Sequence, residues 1–105
     1  MSERVGFVFK LREGSLPEYV RRHDEIWAEM TELLTEAGIS DYSIWSYGEL
    51  LVGTLKADPD WGSVQAVLGA STVQARWAEA MDDLIEWQLD ENGQLQMLPE
   101  VFRHD

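Results

Sequence analysis

Hydrophobic and polar positions alternate over residues 4–11. Val5, Phe7, Phe9 and Leu11 fall on one side, Gly6, Val8 and Lys10 on the other. A period of two with one apolar side predicts a half-buried strand. The period then changes. From Leu16 to Ala37 the apolar stripe recurs at steps of three and four, through Tyr19, Val20, Ile26, Trp27, Met30, Leu33 and Leu34. That spacing predicts one amphipathic helix. Ser15 and Glu18 suit a capping box, Pro17 a first turn, and Gly38 the C-terminal stop. One member of the stripe is not apolar: His23, four residues after Tyr19 and four before Trp27.

Alternation returns at 40–46, with Tyr42 and Ile44 set against Asp41, Ser43 and Trp45, and a β-rich run follows at 49–57. Tyr47-Gly48 between them predicts a tight hairpin turn. Asp58 as cap and Pro59 at the first helical position predict a short helix carrying Trp61, Val64, Val67 and Leu68. Ser71 with Gln74 is a second capping box. It opens a helix with Val73, Trp77, Ala80, Met81, Leu84 and Ile85 on its apolar side. "DENG" (90–93) reads as a turn and 94–102 as a last strand. The predicted order is β-α-β-β-α-β, an α+β, ferredoxin-like sandwich in which helices cover one face of an antiparallel sheet. The second and third strands carry apolar residues on both sides, so a one-sided cover leaves apolar surface over. A homodimer of the dimeric α/β barrel type is the expected remedy.

The chain of 105 residues predicts a single domain, 1–105, long enough to bury roughly two-thirds of its unfolded surface. Its formal net charge is −12, and the one basic pair, Arg21-Arg22, is flanked by Glu18, Asp24 and Glu25. Nucleic acid and anionic membranes need a positive patch, so both are excluded as expected partners. A neutral small molecule suits this balance better, although acidity also serves solubility. There are no cysteines, which excludes disulfides and thiolate metal sites. No apolar run reaches the roughly 20 residues of a membrane span, and the N-terminus has no apolar signal core. The expected location is cytoplasmic.

Two readings of His23 stand side by side. One is a half-buried histidine with a hydrogen-bonded ring; the other is a general acid or base oriented by Tyr19. Metal binding has no support, since the other histidine, His104, lies near the C-terminus and no ligand spacing exists. Five tryptophans add rigid aromatic faces suited to a sugar's C–H surface or to a core. For Trp27, Trp77 and Tyr42 both readings stay open.

The segments "EYVRRHDEIWAEM" (18–30), "GISDYSIW" (38–45), "RWAEAM" (76–81) and "PEVF" (99–102) resemble the L-rhamnose mutarotase family, in the same order and over nearly the whole chain. The resemblance implies a ferredoxin-like homodimer that interconverts the α and β anomers of a neutral sugar without cofactor or metal. It places the proton-donating histidine on His23 and sugar-binding tyrosines on Tyr19 and Tyr42, with Trp77, and Trp27 on the earlier helix, as aromatic contacts. The family's later helix carries two adjacent tryptophans; here Ala78 follows Trp77. The implied substrate is therefore L-rhamnose or a related deoxy sugar such as L-fucose. The competing functions are a cofactor-free monooxygenase of the same fold type and a non-catalytic binding module.

Overall fold

A computed structural model describes residues 2–86 and 95–104. Alternation carries through to β1 (Glu3–Leu11), whose Val5, Phe7, Phe9 and Leu11 are all buried. β1 pairs antiparallel with β3 (Leu50–Ala57), and β3 pairs with β2 (Ile39–Tyr47). On the other edge of β1 the last strand arrives in two pieces. β4 (Ile85–Glu86) pairs Leu11 with Ile85, and β5 (Gln96–Leu98) pairs Phe7 with Met97. The helices α1 (Leu16–Asp24), α2 (Ala28–Ala37), α3 (Trp61–Gly69) and α4 (Thr72–Met81) complete the order, with a 3-10 turn at Asp82–Leu84. This is the expected ferredoxin-like βαββαβ, with each helical segment and the last strand divided in two. Val64, Met81 and Leu84 join the inward residues of β1 and β3 in one core cluster. Each such burial contributes roughly 1.5–3 kcal/mol for a large apolar side chain.

Several local expectations are corrected. The first helix breaks after Asp24. Glu25's N–H bonds back to Arg21, and Trp27 is extended at φ −63°, ψ 137°, acting as the N-cap of α2. Tyr19 and His23 thus share a helix that Trp27 does not. Val20 is 48% exposed rather than core. Ser15 makes no side-chain cap, since its backbone is already helical at φ −87°, ψ −11°, and the Glu18 carboxylate that would complete the box is committed to Arg21 and Arg22. The third helix is capped by Asp60, which accepts from the Ser63 N–H at 2.7 Å, while Asp58's N–H bonds Gly38 O. Asp58-Pro59 is a cis peptide. α4 ends at Met81, so Ile85 is a strand residue. The hairpin turn is Gly48-Glu49, with Gly48 at φ +60° in its first central position. The 90–93 turn lies outside the described residues.

β2 contains the feature that matters most for the site. Ser40 pairs with Lys56, but Ser43 pairs with Thr54, so Asp41 and Tyr42 together oppose Leu55. This is a β-bulge, with Asp41 at φ +51°. It shifts the strand's phase by one residue. Ile39 faces inward before it, and Tyr42 and Ile44 face inward after it. Phe7 lies across Gly53, where a Cβ would overlap the phenyl ring. The missing side chain lets Phe7 reach Tyr42, edge-on at 6.2 Å.

The outward face carries a row in which Val8, Val52 and Trp45 stand opposite one another, beside Leu50 and Tyr47. Trp45 is 67% exposed.

Candidate functional site

Tyr19 is buried on the inward side of α1 and packs on Phe9 at 6.0 Å. His23 lies one turn later on the same face, and its ring stacks on Tyr19 at 4.1 Å with 27° between planes. Trp77 of α4 meets the imidazole edge-on at 5.3 Å. Trp27 in turn meets Trp77 edge-on at 5.1 Å, and the Arg76 guanidinium covers the Trp27 ring at 5.6 Å. Arg76 is itself held by Glu29 at 3.0 Å.

His23 Nδ1 lies 3.0 Å from the backbone oxygen of Tyr19. A carbonyl only accepts, so Nδ1 carries the hydrogen and donates it. That leaves Nε2 as a lone-pair nitrogen with no protein partner among the described residues. Burial lowers the His23 pKa, against the opposing pulls of the Tyr19 carbonyl and the Asp24 charge. The neutral imidazole is the favoured form near pH 7. Burial also raises the Tyr19 phenol, with Tyr42 adding to the shift. The Tyr42 phenol is pushed up to about 12 by burial of its hydroxyl end, although the residue as a whole is 38% exposed. Both phenols stay protonated near neutral pH.

Tyr19, His23, Ile26, Leu34, Tyr42 and Ile44 form a wall common to two cavities. The outer one, about 370 Å³, runs along α1 to Trp45. The inner one, about 230 Å³, lies between helices and sheet and reaches Gln74, Trp77 and Ala78 of α4. A drug-sized ligand takes roughly 300–1,000 Å³; the inner volume suits a single small ring. Of the residues singled out in the sequence, Tyr19, His23, Tyr42 and Trp77 converge here. Trp27 does not line either cavity and stands behind Trp77.

Two features escaped the sequence reading. Arg22 ties α1 to the far end of α4: Nη1 donates to Ala80 O at 2.6 Å and to Asp83 at 2.9 Å. Asp83, though 65% exposed, is therefore a tether, with its pKa lowered chiefly by that hydrogen bond. Glu18, held at about 2 chiefly by its hydrogen bond to Arg21, also accepts from Arg22. The Glu18–Arg22 spacing of four signals the local half of this network; nothing in the sequence signals the distant half. The second feature is Gln74. Its N–H makes the expected cap to Ser71 Oγ at 3.3 Å, but the Ser71 N–H bonds Leu68 O, so the return half of the capping box is not made. The Gln74 side-chain oxygen is buried without a partner among the described residues.

Among the described residues no group of three His, Cys, Asp or Glu side chains is placed to hold a metal, and no helix is long and apolar enough to cross a membrane.

A family model described as L-rhamnose mutarotase matches residues 4–104. The L-rhamnose mutarotase of Flavobacterium johnsoniae is 36% identical over 104 residues, covering 97% of this chain and 95% of its own. That of Mesorhizobium japonicum is 41% identical over 88 residues, 82% of each chain. The crystal structure of an L-rhamnose mutarotase from Formosa agariphila superposes with a TM-score of 0.79 at 28% identity, over 98% of this chain and 99% of that one. A conserved protein from Methanosarcina mazei shares the fold, with a TM-score of 0.61 at 16% identity over 84% of this chain and 85% of that one.

Proposed function

The chain belongs to the L-rhamnose mutarotase family, and from that premise we propose that it interconverts the anomers of L-rhamnose or a related deoxy sugar, with His23 as the proton-transfer group. The family match disfavours the monooxygenase and binding-module readings. The observation that carries the proposal is the Nδ1–H of His23 donated to Tyr19 O. It leaves Nε2 as the base on a cavity wall shared with two phenols that stay protonated.

The reaction follows from those states. Nε2 takes the proton of the anomeric hydroxyl as the bond from the anomeric carbon to the ring oxygen breaks. The hydroxyl oxygen becomes the aldehyde oxygen, and the imidazolium returns its proton to the former ring oxygen. Reclosure on the other carbonyl face reverses each transfer and yields the other anomer. The proton count balances, and no cofactor or metal enters. Burial keeps the imidazole neutral in the resting state, and so ready to accept the first proton. Tyr19 and Tyr42 donate to sugar oxygens, and Trp77 offers an indole beside the ring. Trp27 supports Trp77 from behind.

The same reading takes residues 1–105 as one catalytic domain, in the cytoplasm, acting as a homodimer. The apolar row of Val8, Val52 and Trp45 supports the dimer: a second copy laid on that face removes it from water. Sedimentation at micromolar concentration should give twice the 12.0 kDa chain mass.

The decisive experiment is saturation transfer between the anomeric protons of L-rhamnose at pH 7.5, with wild type and His23→Ala. Wild type should accelerate exchange and the variant should lose roughly 10²–10⁴-fold. No acceleration by wild type, with L-rhamnose or L-fucose, refutes the proposal. An active His23→Ala variant keeps the reaction and removes His23 from it.

A further inference from the structure

We propose that Gln74 is a specificity-determining residue, its side-chain oxygen accepting a hydrogen bond from one secondary hydroxyl of the sugar. The inference rests on the mutarotase reading and adds a substrate contact to it. Its ground is a buried side-chain oxygen, partnerless among the described residues, on a residue that lines the inner cavity with His23, Tyr42 and Trp77. A buried acceptor left unpaired destabilises a fold, and such groups call for an explanation. Helix capping does not supply one. The cap uses the Gln74 backbone N–H, and the Ser71 N–H that the side chain would have met is bonded to Leu68 O.

Position supplies the explanation. Gln74 and Ala78 stand one turn apart on the same face of α4, and both line the inner cavity. Side chains on a helix lean toward its N-terminus, so residue 78 covers surface toward residue 74. Alanine fills little of that space, leaving room beside the Gln74 amide for part of a ligand. The rest of the inner cavity offers mostly apolar side chains, with the imidazole and the two phenols on its other side. The phenols donate; Gln74 adds an acceptor from α4. A hydroxyl on a ring whose anomeric carbon faces His23 Nε2 is a donor of the right kind. A site built to bond a hydroxyl rejects the analogue that lacks it.

The test compares wild type and Gln74→Met on L-rhamnose and its 2-, 3- and 4-deoxy analogues, by anomeric saturation transfer over a range of sugar concentrations. Wild type should lose on the order of tenfold in kcat/KM on one analogue, mainly through KM. Gln74→Met should lose about as much on L-rhamnose and be indifferent to that same deletion. Its Tm should be unchanged or raised, because an unpaired acceptor has been replaced by an apolar group of similar length. An active wild type whose preferences are unaltered in Gln74→Met overturns the inference alone. A wild type inert toward all four sugars overturns the mutarotase reading and this inference together. A lowered Tm in both Gln74→Met and Gln74→Leu would make Gln74 structural and overturn it as well.

Discussion

Trp77→Ala tests how the site sets the state of its histidine. The indole makes two edge-to-face contacts, with His23 at 5.3 Å and Trp27 at 5.1 Å. Each is worth about 0.5–1.5 kcal/mol beyond simple burial. Removing a fully buried Trp costs roughly 3–5 kcal/mol, and Trp77 is only half-buried, so the variant should lose about 2–3 kcal/mol in urea unfolding at pH 7.5. The more telling change is on His23. Its pKa is lowered chiefly by burial, while the Tyr19 carbonyl and Asp24 act the other way. Without the indole, water reaches the imidazole and the lowering influence weakens; the two raising influences remain. The pKa should therefore climb toward the ordinary 6.5 or past it. Following the His23 Cε1 proton by NMR from pH 4 to 8 measures this, with His23→Gln identifying the resonance. Trp77→Phe should fall between. A His23 pKa that stays put or falls in Trp77→Ala would refute the claim that aromatic cover holds the imidazole neutral.

Three further outcomes follow from the same geometry. The lowered His23 pKa means the unfolded chain takes up this proton first, so its stability contribution is full above about 6.5 and is lost as pH falls through the folded value; urea midpoints in wild type should drop more between pH 7 and 5 than in His23→Gln, and kcat/KM should fall in the same window. Gly53→Ala forces a methyl into the Phe7 ring and should cost about 1–3 kcal/mol by thermal melting, with a rise in KM as Phe7 displaces Tyr42. Asp41→Val places a β-branched residue at φ +51° and should cost about 1–2 kcal/mol in urea unfolding, whereas Asp41→Gly should be neutral or better.

Where local pattern and tertiary packing agree, the sequence was readable. β1 needed only its alternation, and Gly38 ended the second helix as a C-cap at φ +99°. Tyr19 and His23 shared a face because four residues is one helical turn. The break at Glu25–Trp27 was not readable, because Ile26 and Trp27 continue the three-and-four spacing; the spacing cannot tell a straight helix from two that meet at an extended residue. The end of α4 was hidden in the same way, since Leu84 and Ile85 keep the helical pattern while joining a 3-10 turn and a strand. The residues of the site came mainly from the resemblance, as composition left His23 and the tryptophans with two readings each. Gln74 carried a complete local explanation as a cap, which concealed its side chain.

The bulge in β2 makes that segment tolerant in length as well as in identity. Inward residues Ile39, Tyr42 and Ile44 are spaced by three and then two, and only the extra residue reconciles that spacing with a pleat of period two. Ser40, Asp41 and Ser43 are exposed and answer to few neighbours. Among descendants of this sequence, substitutions at those three positions should accumulate freely within the limits of backbone strain. Loss of a single residue between Ile39 and Tyr42 should be tolerated, because it removes the bulge and restores plain alternation, leaving the tyrosine inward opposite Leu55 and in phase with Ile44. A one-residue gap at this point is then no sign that a distant relative has lost the pocket.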